Sequence, residues 1–347
     1  MTQSCSFRFA SARTANRLVA GVPAAARLAH AHAAARPGEV LVLAFEEASS
    51  GDEGLAPRTL SEIARLAPGV KVIIAERATA AAIPAETLPD AATIAALPRA
   101  AAPSRVQPSP DAALDAAGRA IIRNTAKPGD GLISRHINRP LSQAISARLL
   151  RLSWMRPGHA SALTALAALA MLACLVAFPS PAGLAAGAVL FQLASVIDGV
   201  DGEIARATHR TSRLGASLDS LIDALTNCAF LAGAGISFAM QDDARTAMVC
   251  AAATMMQIAG LAILGWRAWL REGVVHFDGA KAVATTAPGG MGTLVKDLTS
   301  RDFYCFAFML AALCGLLPAA MTVFLAGSTI WLVFVIAAAA LRPAAAG

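Results

Sequence analysis

The apolar and charged positions divide the chain into two regions of different character. Beyond residue 158 there are long stretches without charge: Leu163 to Ile197 and Ala224 to Met240 contain no Lys, Arg, Asp or Glu. A helix that crosses a membrane needs about 20 mostly apolar residues. The pattern therefore predicts an α-helical membrane protein with a bundle of six spans, at residues 159–178, 183–205, 215–239, 246–269, 302–319 and 321–341.

The first 110 residues show short apolar runs between polar segments instead. Short runs rich in Val and Ile predict strands, and Ala- or Leu-rich runs at helical spacing predict helices. The order helix, strand, helix, strand indicates a small α/β domain over residues 1–110. Four prolines in Pro98–Pro110 then predict a linker. The predicted helices are Ala24–Ala35 and Leu60–Leu66, and the predicted strands are Val40–Phe45 and Val70–Ala75.

A basic segment separates the two regions. Its apolar residues recur at helical spacing, four, four and three residues apart, among basic residues such as Arg139 and Arg148. A basic amphipathic helix of this kind is typical of a membrane surface. We therefore assign residues 111–157 to a linker and an interfacial helix, and residues 158–342 to the membrane domain. The apolar positions are Leu141, Ile145, Leu149 and Leu152.

Composition and charge indicate the environment of the protein. Hydrophobic residues make up 56% of the chain and charged residues 15%, and the formal net charge is +6. Basic residues beside apolar spans mark the cytoplasmic side, and their placement here predicts a multi-pass inner-membrane protein with both termini in the cytoplasm. The chain has only one Tyr and lacks the interleaved aromatic and basic residues of a single-strand binder, so no nucleic-acid partner is expected. The six cysteines form no CxxC motif, which argues against a zinc site or a disulfide framework.

Four aspartates lie near the cytoplasmic ends of the second and third predicted spans. Asp198 and Asp201 are three residues apart and Asp219 and Asp223 are four apart, so each pair lies on one helix face. A short connection makes these helices antiparallel neighbours, which brings the four carboxylates together. Unpaired carboxylates are costly near lipid and repel one another. A divalent cation removes both problems, and hard oxygen ligands favour Mg²⁺, Mn²⁺ or Ca²⁺.

Two glycines and an arginine extend this pattern. Gly202 and Gly215 permit close approach of a nucleotide or a neighbouring backbone, and Arg206 can hold a phosphate by two hydrogen bonds. Taken singly, an Asp pair at a helix end is more often a cap or a solvated face, and Arg206 is as well explained as a cytoplasmic anchor. The concentration of carboxylates, glycines and an arginine in so short a stretch favours a site for a diphosphate.

The aspartates stand in the pattern D-x2-D-G-x2-A-R-x8-G-x3-D-x3-D. This pattern resembles the full signature of CDP-alcohol phosphotransferases, and the resemblance covers residues 130–341. It implies two divalent ions, Mg²⁺ or Mn²⁺, held by the four aspartates, with Asp223 also acting as the base that deprotonates the acceptor hydroxyl. It implies a CDP-alcohol donor, an alcohol acceptor, membrane lipids as partners and a homodimer. The residues implied at the metals are Asp198, Asp201, Asp219 and Asp223, and those at the CDP moiety are Gly202, Ala205, Arg206, Ser212, Gly215 and Ser161.

A second resemblance concerns Lys127–Pro140. Its K-P-x-D-G…S-R…N-R-P pattern is similar to the junction in membrane transferases that make inositol phosphodiesters, where a nucleotidyltransferase domain precedes the membrane part. Arg17–Ala35 resembles the start of such a domain, but the G-x-G-x-R phosphate loop is absent, so we interpret the domain as degenerate. A polar acceptor needs cations, for which the candidates are Lys281, Lys296 and Arg301; a solvated basic loop is the alternative.

The leading hypothesis is therefore an enzyme. It transfers a phosphoalcohol group from a donor of the CDP-diacylglycerol or CDP-inositol type to a hydroxyl acceptor and releases CMP, in phospholipid or inositol-phosphodiester synthesis. The alternatives are an ion-coupled transporter and a catalytically inactive membrane scaffold. A transporter is expected to place acids near mid-span and to show an internal repeat, and the sequence shows neither. The complete signature argues against a scaffold.

Overall fold

The computed structural model describes residues 4–46, 54–75, 82–96, 109–272, 297 and 300–341. The chain forms two compact units. The first consists of residues 1–125, 145–155 and 206–209, and the second of residues 126–144, 156–205 and 210–347. The domain boundaries expected near residues 110 and 157 stay a prediction.

The first unit is built on a parallel sheet. Its four strands lie in the order β5-β4-β1-β6, and β1 pairs with β4 from Ser4 and Val40 to Phe9 and Phe45. A short antiparallel pair, β2 and β3, stands apart from this sheet. The strands are β1 Ser4–Phe9, β2 Leu18–Val19, β3 Val22–Pro23, β4 Val40–Phe45, β5 Val72–Ala75 and β6 Ile83–Pro84. The helices are α1 Ala12–Asn16, α2 Ala24–Ala35, α3 Pro57–Leu66, α4 Ala91–Ala96 and α5 Pro110–Arg123.

The predicted α/β character of this region is confirmed, and α2 and β4 have the predicted bounds. Helix α3 begins three residues earlier than predicted, because Pro57 suits the first turn of a helix. The sequence prediction missed the central strand β1. Its alternation of Cys5, Phe7 and Phe9, all fully buried, with polar residues is a strand pattern that could have revealed it. Most of the linker predicted at Pro98–Pro110 lies outside the described residues.

The second unit is helical. A π-helical turn, Ser134–Asn138, leads into α6, whose C-terminal end belongs to the first unit, as do the last residues of α8. The helices are α6 Arg139–Leu149, α7 Pro157–Ala177, α8 Pro181–Ala207, α9 Arg213–Met240, α10 Ala244–Glu272, α11 Arg301–Leu313 and α12 Leu317–Leu341.

Five helices in the described part of the chain are long and apolar enough to cross a membrane: α7, α8, α9, α10 and α12. The predicted membrane-protein class is thereby confirmed. Helix α11 has 13 residues, fewer than the roughly 20 needed for a crossing, so the count of six spans stays a prediction. The connection between α11 and α12 lies between Leu313 and Leu317, earlier than the boundary of the predicted spans at residues 319 and 321, since Gly315 adopts a left-handed conformation and Pro318 fits the first turn of α12.

Stacked aromatic rings join the helices of the second unit. The rings of Phe191 on α8 and Phe230 on α9 are parallel, with centroids 4.3 Å apart. Phe308 on α11 stacks on Phe230 at 5.6 Å. These contacts lie about two turns from Asp198 and Asp223, so the core holds in register the helices that carry the polar residues.

Candidate active site

The four aspartates lie on α8 and α9, as their spacing predicted. Asp198 and Asp201 come from the last turns of α8, and Asp219 and Asp223 from the first turns of α9. The carboxyls of Asp198 and Asp223 contact each other. Asp201 is 7% exposed and accepts a 2.6 Å hydrogen bond from the hydroxyl of Ser161 on α7. Three helices thus contribute to one polar cluster.

Arg301, the first residue of α11, supplies the cluster with a positive charge. Its Nη1 atom lies 3.3 Å from Oδ2 of Asp198 and also pairs with Asp223. Its Nε atom donates to the amide oxygen of Asn227 at 3.2 Å, and the amide nitrogen of Asn227 donates to the hydroxyl of Tyr304 at 2.7 Å. The guanidinium is therefore held by both α9 and α11. Sequence reasoning considered Arg301 only for the acceptor and missed this pairing. Lys281 and Lys296 lie outside the described residues.

The oxygen donors of this cluster are of the kind that divalent cations bind. Four carboxylates face a single paired guanidinium, and Oδ1 of Asp219 is buried without a hydrogen-bond partner among the described residues. Oxygen donors of this kind suit Mg²⁺ or Mn²⁺. Within the described ranges, however, no three His, Cys, Asp or Glu side chains are arranged to hold one ion. Asp198 and Asp223 pair with Arg301 instead.

The residues predicted to contact CDP lie at the ends of the same two helices. Gly202 and Ala205 are partly exposed on α8. The Nε atom of Arg206 donates to the carbonyl of Thr125 at 2.8 Å. Ser212 is the N-cap of α9, and its exposed hydroxyl oxygen accepts a 2.9 Å hydrogen bond from the backbone N–H of Gly215. A capping role for Ser212 follows from its position before a helix, and the sequence prediction did not include it.

A buried ion-pair network beside the aspartates was not predicted. Glu203 is fully buried on α8 and accepts from Nη1 of Arg139 at 3.0 Å and from the hydroxyl of Ser142 at 2.6 Å. Arg139 also donates to both carboxylate oxygens of Asp130, at 2.7 and 3.0 Å. A Cβ atom at Gly199 would lie 3.2 Å from Nη1 of Arg139, so a glycine there gives the guanidinium room beside α8.

This network shifts the pKa values of Asp130 and Arg139, which lie outside the membrane-spanning helices. Burial opposes the charged form of Asp130, but the hydrogen bonds and positive charge of Arg139 outweigh it, and the pKa of Asp130 is lowered. For Arg139 burial likewise opposes the charge, while Asp130 and Glu203 raise its pKa. The ion pairs therefore stay intact at neutral pH and tie α6 to the part of α8 that carries the aspartates.

A second network connects α8 to α11. The amide nitrogen of Asn138 donates to Oδ1 of Asp302 at 3.0 Å, and the hydroxyl of Ser195 donates to the same oxygen at 2.7 Å. The amide nitrogen of Gln192 donates to the amide oxygen of Asn138 at 2.7 Å. Because Asp302 directly follows Arg301, these bonds help to fix the guanidinium next to Asp198.

Comparison with known proteins identifies this arrangement. The sequence model of the CDP-alcohol phosphatidyltransferases matches residues 158–331, about half of the chain, and that stretch contains all four aspartates. The chain belongs to the CDP-alcohol phosphatidyltransferase family. Members of this family are phosphotransferases that use divalent metal ions. The family membership and the enzyme class predicted from the signature are confirmed, and the match favours a transferase over a transporter.

Three relatives of this family member carry the name bifunctional IPC transferase and DIPP synthase. The relative from Thermococcus kodakarensis is 38% identical over 117 residues, which are 33% of this chain and 26% of that protein. The relative from Aquifex aeolicus is 44% identical over 103 residues, 30% of this chain and 22% of that protein. The relative from Archaeoglobus fulgidus is 36% identical over 117 residues, 33% of this chain and 22% of that protein. The chain thus spans about a quarter of the length of these relatives.

Proposed function

We propose that this protein transfers a phosphoalcohol group from a CDP-alcohol to a hydroxyl acceptor, with release of CMP, in the synthesis of an inositol phosphodiester or a phospholipid. The observation that carries the proposal is the cluster of four aspartates on α8 and α9, with Asp198 and Asp223 in contact around Arg301. The names of the relatives and the resemblance of Lys127–Pro140 support an inositol-type product.

Asp198, Asp201, Asp219 and Asp223 would hold two divalent ions, Mg²⁺ or Mn²⁺. Bound there, divalent ions would supply positive charge that offsets the charge of the donor's diphosphate and of the leaving CMP. The unpartnered Oδ1 atom of Asp219 supports this assignment. The hydroxyl of Ser161 orients the carboxylate of Asp201 by its hydrogen bond. Arg301 must loosen its pairing with Asp198 and Asp223 for both carboxylates to reach an ion.

Asp223 is the proposed general base. It takes the proton of the acceptor hydroxyl, whose oxygen then forms a bond to the β-phosphorus as the bond from that phosphorus to the CMP oxygen breaks. The contact of Asp223 with Asp198 and its pairing with Arg301 support a role for it in the same cluster. In-line transfer of this kind needs no covalent enzyme intermediate.

The CDP moiety is proposed to lie along the ends of α8 and α9. Gly202 and Ala205 leave room beside α8, and Arg206 can bind a phosphate oxygen. The exposed hydroxyl of Ser212 and the N-terminal end of α9 offer further donors to the diphosphate, and Gly215, which is also exposed, leaves room for it. Arg301, with a buried Nη2 atom that has no hydrogen-bond partner in the described residues, is the candidate for an acidic group on the acceptor.

The cellular arrangement is also part of the proposal. The basic residues at alternate span ends support an inner-membrane protein with its active site and termini in the cytoplasm. Family resemblance supports a homodimer, and both the donor and the acceptor are expected to reach the aspartates from the cytoplasmic side. The first unit, which lacks the phosphate loop of nucleotidyltransferases, is not expected to make the CDP donor.

A donor panel tests this function. Purified full-length protein is incubated with labelled CDP-diacylglycerol or CDP-inositol, Mn²⁺ and a panel of alcohols that includes inositol phosphate, and CMP and the phosphodiester are measured. We expect CMP release with one donor, dependent on the acceptor and abolished by EDTA. Absence of CMP with every pair would contradict the proposal and favour a scaffold. A parallel preparation in vesicles distinguishes a transporter, which would move substrate without releasing CMP.

A further inference from the structure

The C-terminal end of α8, residues 206–209, carries an unusual set of backbone contacts. Ala207 and Thr208 are 1% and 3% exposed. The last carbonyl groups of a helix have no partners within the helix, and buried ones need donors from elsewhere. Arg206, a residue proposed to bind CDP, lies in this turn.

The turn itself is strained. The N–H of His209 bonds to the carbonyl of Arg206, and the N–H of Arg210 bonds to the carbonyl of Ala205 at 2.8 Å. These two hydrogen bonds form a Schellman motif, in which the residue just after the helix is usually a glycine in the left-handed conformation. Here His209 occupies that position with φ +53°, which costs a residue with a side chain about 1 kcal/mol. Other contacts must therefore hold the turn in place.

Two arginines of the first unit cover three successive carbonyl groups of this turn. Nη2 of Arg27 on α2 donates to the carbonyl of Ala207 at 2.5 Å. Arg65 on α3 donates from Nη2 to the carbonyl of Thr208 at 2.9 Å and from Nη1 to that of His209 at 3.1 Å. Arg65 is in turn oriented by Glu62, at 2.6 Å.

Burying the charged guanidinium of Arg27 at this position costs desolvation free energy. It is 8% exposed, and burial lowers its pKa to about 10. Its guanidinium donates to the carbonyls of Val19, Ala20 and Ala207, and it forms no salt bridge with a carboxylate in the described residues. The negative end of the α8 dipole is the charge that offsets it. Its three hydrogen bonds and this dipole replace the carboxylate that usually accompanies a buried arginine.

We propose that Arg27 and Arg65 form a positioning clamp: they hold the turn at residues 206–209 so that Arg206 is set for the CDP donor. The inference rests on the proposed function, because it acts through Arg206. The hydrogen bond from Arg206 to the carbonyl of Thr125 belongs to the same arrangement.

Arg65 and Arg58 offer a matched pair of variants. Both lie on α3 and both donate to backbone carbonyls, but Nη2 of Arg58 bonds to Ser153, outside the α8 turn, at 2.6 Å. The dissociation constant of CDP is measured by calorimetry on the full chain with Mn²⁺. We expect Arg65→Ala to weaken CDP binding about fivefold, in line with the loss of about 1 kcal/mol of hydrogen bonding, and Arg58→Ala to leave it within twofold. Arg65→Lys keeps the charge but loses the bidentate contact, so its CDP affinity should lie between those of the two alanine variants.

Hydrogen exchange and melting temperature separate positioning from folding. Faster exchange of the amides of residues 206–216 in Arg65→Ala, with weaker CDP binding and a melting temperature like that of Arg58→Ala, supports the clamp. CDP binding equal to wild type, or equal losses in both variants, overturns it. If the wild-type protein does not bind CDP, the proposed function fails and the clamp fails with it. If the wild type binds CDP and Arg65→Ala binds it equally well, only the clamp is refuted.

Discussion

Two buried arginines in this molecule have opposite kinds of partner. Arg301 pairs with the carboxylates of Asp198 and Asp223, whereas Arg27 donates to three backbone carbonyls. A carboxylate can exchange a guanidinium for a metal ion, because both are cations that bind the same oxygens. A carbonyl at a buried helix end has no such alternative. The comparison therefore separates a pairing that is expected to change during the reaction from one that is expected to persist.

The largest effect is expected at the proposed base. Asp223→Asn keeps the shape of the side chain but cannot accept the proton of the acceptor, so CMP release should fall by about 10³-fold or more. Asp243→Asn is the matched control, since Asp243 caps α10 by accepting from the N–H of Thr246 at 3.0 Å and asparagine caps equally well. Turnover of Asp223→Asn near the wild-type rate would show that Asp223 is not the base.

Metal binding should respond next. Asp219→Ala removes a carboxylate that has a buried oxygen free of hydrogen bonds in the described residues. We expect Mn²⁺ affinity, measured by calorimetry without substrate, to fall about tenfold or more, as is usual when a metal ligand or its support is lost. An unchanged affinity would remove Asp219 from the ligand set. Asp243→Asn again serves as the control.

The contrast between the two arginines can be tested by metal rescue. Arg301→Gln leaves Asp198 and Asp223 without the guanidinium, and the loss of hydrogen bonds to charged, partly buried groups costs about 1.5–3 kcal/mol. We expect a lower melting temperature without metal and its recovery in Mn²⁺, with Mn²⁺ bound more tightly than by wild type because a competing cation is gone. Arg27→Gln should also lower the melting temperature, but Mn²⁺ should not restore it. If Mn²⁺ restored the melting temperatures of both variants equally, the proposed difference between the two arginines would be wrong.

The smallest effect concerns the backbone at the end of α8. His209→Gly and His209→Ala both remove the ring that lies 4.3 Å from that of His30, so their difference isolates the cost of the left-handed conformation. We expect the glycine variant to be more stable by about 1 kcal/mol, measured by denaturant unfolding. Equal stability of the two variants would mean that the turn is not strained.

The membrane class, the family and the grouping of the aspartates could be predicted from local patterns. Long apolar helices with few charges and aspartates three and four residues apart are both local features of the sequence, and α8 and α9 show both. The bounds of β4 were predictable for a similar reason, because a continuous apolar run marks a buried strand. Strand β1 has a different pattern, in which apolar Cys5, Phe7 and Phe9 alternate with polar residues, so a search for continuous apolar runs missed it.

Only the tertiary structure decided which partner each buried polar group binds, whether that partner is a cation or a backbone carbonyl. Arg27 lies in an Ala-rich helix and bonds to Ala207, 180 residues away, and Asn138 bonds to Asp302, 164 residues away. No spacing rule connects such residues, because their contact depends on how whole helices pack. The sequence by itself determined that four carboxylates gather at one end of two helices, through the period of the α-helix. Only the packing decided that Arg301 pairs with two of them and that Arg27 and Arg65 donate to the carbonyls of residues 207–209.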